Sequence, residues 1–181
     1  MSHMKRNSRG FSFIEVLVTL VLLTIGVLGM VAMQGRGIQL TNDSLARNNA
    51  AMLATELMEK MRANPGYLAE FTKMKELPDD GDCASPDPDD TAAPIKAEDV
   101  KRQLGCWSER VRTLLPGTDG DTAEAQAVRN EFRACRSKTP GACDNGSAVE
   151  VQVAWRSNGE ACGNESTDAR FICRFRLRGE L

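Results

Sequence analysis

From Phe11 to Met33 the chain reads FSFIEVLVTLVLLTIGVLGMVAM, a run of 23 residues carrying a single charge, Glu15. As a helix it would be about 35 Å long, enough to cross the roughly 30 Å hydrocarbon core of a bilayer. Past Met33 the apolar pattern narrows to a stripe. In QGRGIQLTNDSLARNNAAMLATELMEKMRANPG, Ala46, Ala50, Leu53, Leu57 and Met61 recur at helical spacing on one side, while Arg47, Glu56, Lys60 and Arg62 are polar. Pro65-Gly66 is a stop signal. The pattern predicts one helix from Phe11 to about Ala63, ~80 Å at the standard rise. Its first half, 11–33, is suited to lipid; its second half, 34–65, is amphipathic and needs a globular domain to cover its stripe.

Beyond the stop the pattern changes twice. PDDGDCASPDPDDTAAP, residues 78–94, has no hydrophobic period and many turn formers, so a loop is expected. Its Asp79, Asp80, Asp82, Asp87, Asp89 and Asp90 invite a calcium reading, as does Asp119-Gly120-Asp121. Neither has the alternating ligands, central Gly and closing Glu of an EF-hand loop, so solvated acidic segments are expected. In IKAEDVKRQLGCWSERVRTLLPG, the positions Val100, Leu104, Trp107, Val111 and Leu114 mark an amphipathic helix ended by Pro116-Gly117, with Trp107 on the core stripe. In AVEVQVAWRS, Val149, Val151, Val153 and Trp155 alternate with Glu150, Gln152, Ala154 and Arg156. In RFICRFRLRG, Phe171, Cys173, Phe175 and Leu177 alternate with Ile172, Arg174, Arg176 and Arg178. A period of two predicts antiparallel strands with one face buried. A weaker third strand is expected through Phe132 to Arg136. The whole is an α+β chain, its small antiparallel sheet laid across the long helix, with residues 66–181 forming the globular part.

Composition removes several function classes. Lys+Arg 23 against Asp+Glu 25 gives a formal net charge of -2, so there is no general attraction for nucleic acid, and none is expected as a partner. The row Arg170, Arg174, Arg176, Arg178 reads as a solvated edge strand whose charges discourage stray pairing. The one histidine is His3, which excludes a His general base or His-ligated metal from the body of the chain. No catalytic residue, metal or cofactor is expected.

Glu15 is what the apolar pattern leaves unexplained. A carboxylate in a membrane helix costs about 2.5–3.5 kcal/mol near the centre and less near an end. A cleavable secretory signal would have a shorter run and a small-x-small site, whereas this run ends in VAMQG. A plain signal anchor explains the length but not the acid, and a soluble core helix would show a polar face. Ahead of the run lies MSHMKRNSRG, with Lys5, Arg6 and Arg9, no acid, and Met4 as an alternative natural start. That bias keeps the leader in the cytoplasm and sends everything after Met33 outward. An intramembrane acid calls for a partner. Were the chain cut between Gly10 and Phe11, the Phe11 α-ammonium of one copy would lie at the depth of Glu15 of the next, each offsetting the other's desolvation.

Outside the cytoplasm, six cysteines point to disulfides, and the absence of any CxxC pair disfavours zinc. Fifteen pairings are possible for six cysteines. The sequential pattern is expected: Cys83–Cys106 pinning the acidic loop, Cys135–Cys143 closing a tight turn, and Cys162–Cys173 closing the last hairpin.

The stretch RGFSFIEVLV resembles the class III signal of type IV pilins and pseudopilins: a short basic leader, Gly10, Phe11, and glutamate at the fifth residue of the mature chain. The resemblance implies removal of residues 1–10 by prepilin peptidase between Gly10 and Phe11, N-methylation of Phe11, and the pilin fold of a long helix packed on a small sheet. Glu15 is expected to dock neighbouring helices. GVLGMVAMQ followed by LARNNAAMLATELMEKMRANP, with LGCW at Leu104–Trp107, LPG at Leu115–Gly117, CRS at Cys135–Ser137 and VAW at Val153–Trp155, is similar to the PilV group of minor pilins. That likeness implies a bacterial inner-membrane subunit with a periplasmic head, which joins other minor pilins, the inner-membrane assembly platform and possession of a large tip adhesin among its relatives. It further implies a place at or near the pilus tip, in support of adhesion and twitching motility. The alternative is a minor pseudopilin of type II secretion, which shares the signal and the architecture.

Overall fold

The computed structural model describes residues 12–79, 81, 83, 97–157 and 172–181. The chain divides into two compact units, Met1–Leu40 and Thr41–Leu181, and the first helix, α1 (Phe13–Ala63), supplies residues to both. It ends where the sequence said it would, ahead of Pro65, with the Asn64 side chain donating to the Lys60 carbonyl at 2.8 Å. In the first unit α1 is long and apolar enough to cross a membrane, and the large side chains from Phe13 to Met33 are all exposed.

In the second unit α1 is a core element. Ala46, Ala50, Leu53, Leu57 and Met61, the stripe expected from the spacing, are buried. A 3-10 turn (Pro65–Tyr67) and the single-turn helix α2 (Leu68–Phe71) follow. These were not legible as helix, being shorter than one hydrophobic repeat, yet Phe71, Met74 and Leu77 anchor this segment in the core. Helix α3 (Ala97–Leu114) buries Val100, Trp107 and Val111 on its predicted stripe. The Trp107 indole N–H donates to the Leu53 carbonyl of α1 at 3.0 Å, and its ring meets Phe132 edge-on at 6.2 Å, so one side chain ties α3 to α1 and to the sheet entry. Helix α4 (Ala123–Arg129) is a further element the pattern did not announce; its Thr122 N-cap accepts from the Ala125 amide at 3.1 Å.

Three strands, β1 (Arg133–Ser137), β2 (Ala148–Arg156) and β3 (Ile172–Gly179), form an antiparallel sheet in the order β1-β2-β3. Val151 lies between Ala134 and Leu177, and Val153 faces Phe175, which puts the apolar alternation on the face that joins the core. One expectation is overturned here. Central strand β2 is buried on both faces, Glu150 at 1% exposure and Gln152 at 2%, because the β1–β2 loop and the segment around Glu131 fold over its polar side.

Two of the turns owe their form to glycine. Gly117, at φ +78°, ends α3 in a turn that lies against Arg156, whose amide donates to the Pro116 carbonyl at 2.7 Å. Gly105 in α3 and Gly81 in the preceding loop meet backbone to backbone: a Cβ on Gly105 would lie 2.5 Å from the Gly81 Cα. The Gly105→Ala variant is therefore expected to lose about 1–3 kcal/mol of stability through overpacking. A lowered thermal midpoint of the full chain in detergent, with Ala at the exposed Gly120 as a comparison, checks this.

Candidate functional site

The processing residues Gly10 and Phe11 lie outside the described residues. Glu15 stands in the first turn of α1, where the amides of a helix start lack partners within the helix and its dipole favours an anion. Around it the surface is continuous and apolar, Phe13 being 82% exposed and Leu28 69%. The polar side chains further down serve their own helix: the Thr19 and Thr24 hydroxyls donate to the carbonyls of Val16 and Val21 at 2.9 and 2.8 Å. This unit can therefore do two things, pack an apolar surface and present one carboxylate. Neither is bond-making chemistry.

In the globular unit, bridges join Cys83 to Cys106 and Cys135 to Cys143. Cys173 is disulfide-bonded as well, while Cys162, its expected partner, lies outside the described residues. The first bridge fastens the loop beside the Gly81–Gly105 contact to α3. Pro78 in the same loop accepts from the Ser108 hydroxyl and, at 2.9 Å, from Arg112. Asp79 and Asp119–Asp121 border a polar cleft of about 630 Å³ with Glu76. Its two arginines are committed to the backbone, Arg112 to Pro78 and Arg129 to the carbonyls of Thr118 and Gly120 at 3.2 and 2.6 Å. Among the described residues no group of His, Cys, Asp or Glu is placed to hold a metal ion. Asp80, Asp82, Asp87, Asp89 and Asp90 lie outside those residues.

The arginines of β3 are not the solvated row expected from sequence. Arg174 grips Glu131 with two hydrogen bonds of 2.7 Å, Arg176 donates to Gln152 at 2.7 Å, and Arg178 reaches the Lys138 carbonyl at 2.8 Å. Arg170 lies outside the described residues. Gln152 in turn donates to the Glu131 carbonyl at 2.6 Å. On the same face the Gly141 peptide is held from both sides, its N–H by Glu150 at 2.8 Å and its carbonyl by Arg133 at 2.8 Å; Arg133 and Glu150 are 3.5 Å apart. Asp144 accepts from the amides of Lys138 and Thr139, which holds its carboxyl below the usual range. The β1–β2 loop is thus fastened by one covalent and several polar ties. Sequence reasoning missed Glu131, Glu150 and Gln152 because their partners are distant in the chain or are backbone groups, which leaves no local signal.

Two family models match the chain. One, described as the prokaryotic N-terminal methylation motif, covers residues 5–31; the other, described as type IV pilin Tt1218, covers residues 32–87. No curated protein and no solved structure matches.

The Arg174 hydrogen bonds hold the Glu131 carboxyl below its ordinary value against the opposing effect of partial burial. A group depressed on folding stabilises the fold above its unfolded pKa and loses that contribution as pH falls through the folded value. Glu131→Gln is therefore expected to be destabilising at pH 7 and to converge on the wild type by about pH 3, below the unfolded range near 4.3. Denaturant midpoints of the two proteins at both pH values check the sign.

Proposed function

The chain belongs to the type IV pilins, and on that footing we propose that it is a minor pilin which primes pilus assembly at the bacterial inner membrane and ends at or near the pilus tip, supporting adhesion and twitching motility. The family is structural rather than catalytic. In this reading prepilin peptidase removes residues 1–10, Phe11 is N-methylated, and the basic leader with Lys5, Arg6 and Arg9 stays cytoplasmic while the head is periplasmic. The observation that carries the proposal is the exposed apolar surface of α1 from Phe13 to Met33, with its one acid in the first turn. Such a surface suits lipid before assembly and like helices after it.

The minor-pilin reading rests on the PilV-like pieces, and their places in the fold support treating them as a set. LGCW supplies the Gly81 contact, the bridge to Cys83 and the indole bond to α1. LPG makes the turn that receives Arg156 immediately after VAW, and CRS carries the bridge to Cys143. The partners proposed are other minor pilins, the assembly platform and a large tip adhesin.

Glu15→Val should leave the protein in the membrane and sharply reduce its incorporation, because the neighbour's Phe11 ammonium then has no counter-charge. Fractionation, pilus yield and co-purification with other minor pilins read this. Normal yield with normal co-purification overturns the docking role, and capture of secretion pseudopilins in place of pilus subunits assigns the chain to type II secretion.

A further inference from the structure

The docking role proposed for Glu15 requires a Phe11 ammonium, which exists only after cleavage. Before cleavage the carboxylate already occupies the first turn of an apolar helix, and the start of α1 offers it a different task. Ser12 is non-helical and immediately precedes Phe13, the first residue of α1. Its carbonyl accepts the first helical hydrogen bonds, from the amides of Glu15 at 3.0 Å and Val16 at 3.4 Å. That is the position of an N-cap. Ser12-Phe13-Ile14-Glu15 then has serine at the cap and glutamate at the third helical position. This is the spacing at which the hydroxyl accepts from the Glu15 amide while the carboxylate accepts from the Ser12 amide. Where water is scarce, orphan amides at a helix start have few other partners.

A competing start exists one turn upstream. A helix capped by Ser8 would take in Arg9, Gly10 and Phe11 and draw the Gly10–Phe11 bond into its first turn. That start has Phe11 where a capping box requires Glu or Gln, and it carries Gly10 inside the helix at about 1 kcal/mol against Ala. Both features favour the later start.

We propose that Ser12 and Glu15 form a reciprocal cap that stops α1 short of the processing site and keeps the Gly10–Phe11 bond out of the helix for the peptidase. The inference rests on the processing reading above. Hydrolysis consumes one water, breaks the bond from the Gly10 carbonyl carbon to the Phe11 nitrogen, and leaves a Gly10 carboxylate and a Phe11 ammonium. Ser12 touches none of the reacting atoms; it is a positioning residue.

The test uses the full chain in phosphatidylethanolamine–phosphatidylglycerol vesicles with prepilin peptidase, the cut located by mass spectrometry. Ser12→Ala should be processed about fivefold more slowly, the factor equivalent to about 1 kcal/mol of lost capping. Ser12→Asp and Ser12→Thr, which keep a capping oxygen, should stay near the wild-type rate. Ser8→Ala combined with Ser12→Ala should recover part of the loss, because the upstream start is then uncapped too. Amide hydrogen exchange, read without peptidase, should show protection spreading to Gly10 and Phe11 in Ser12→Ala alone. Wild-type processing and unchanged exchange in Ser12→Ala overturn the proposal. Equal slowing in Ser12→Asp also overturns it, because the enzyme would then be reading serine itself. A wild-type chain left uncut after Gly10 instead overturns the processing reading, and the exchange experiment still decides whether the cap exists.

Discussion

The structure is governed by an apolar helical surface that its own chain leaves bare. In the first unit the large side chains of α1 from Phe13 onward are exposed along the whole run, so the hydrophobic effect must be satisfied by lipid or by other helices. In the second unit the same helix meets the requirement internally, with Ala46 to Met61 sealed beneath α3 and the sheet. One continuous secondary structure therefore serves two solvents. The change between them is written in the breadth of the apolar pattern, which goes all around the helix in the first part and narrows to a stripe in the second.

Glu15 matters because that surface is otherwise so uniform. With Thr19 and Thr24 bonded to their own backbone, the carboxylate is the group by which the helix can distinguish one register of packing from another. The head applies a different economy. Its outer sheet face is polar and closed, with arginines of β3 bound to Glu131, Gln152 and backbone carbonyls rather than offered freely to solvent. A basic row in the sequence is in this way spent on holding the sheet and its loop together, and the surface left for partners is less basic than the residue count suggests.

What was legible in the sequence was whatever repeats. The stripe of α1, the stripe of α3 and the alternation in β2 and β3 all recur often enough to be read, and the helix stop at Pro65 is a local steric fact. What was not legible lacked a repeat. The single turn of α2 and the seven residues of α4 are too short for a periodicity to emerge. The burial of Glu150 and Gln152 contradicts the one-sided alternation because a loop, rather than solvent, covers that face. Glu131 finds Arg174 across 43 positions of chain, a pairing only the fold can create. At the candidate site the reverse holds: Gly10, Phe11 and Glu15 were chosen from a compact local motif, and the structure adds the helix start at Phe13.

The two tryptophans of the chain, Trp107 and Trp155, are both enclosed in the head, at 1% and 3% exposure. One is bonded to the carbonyl of Leu53 and the other sits opposite Cys173 on the sheet. Intrinsic fluorescence therefore samples two ends of one interior without any added dye. A red shift in emission signals water reaching that interior, and neither fluorophore lies in the lipid-facing segment to confuse the signal.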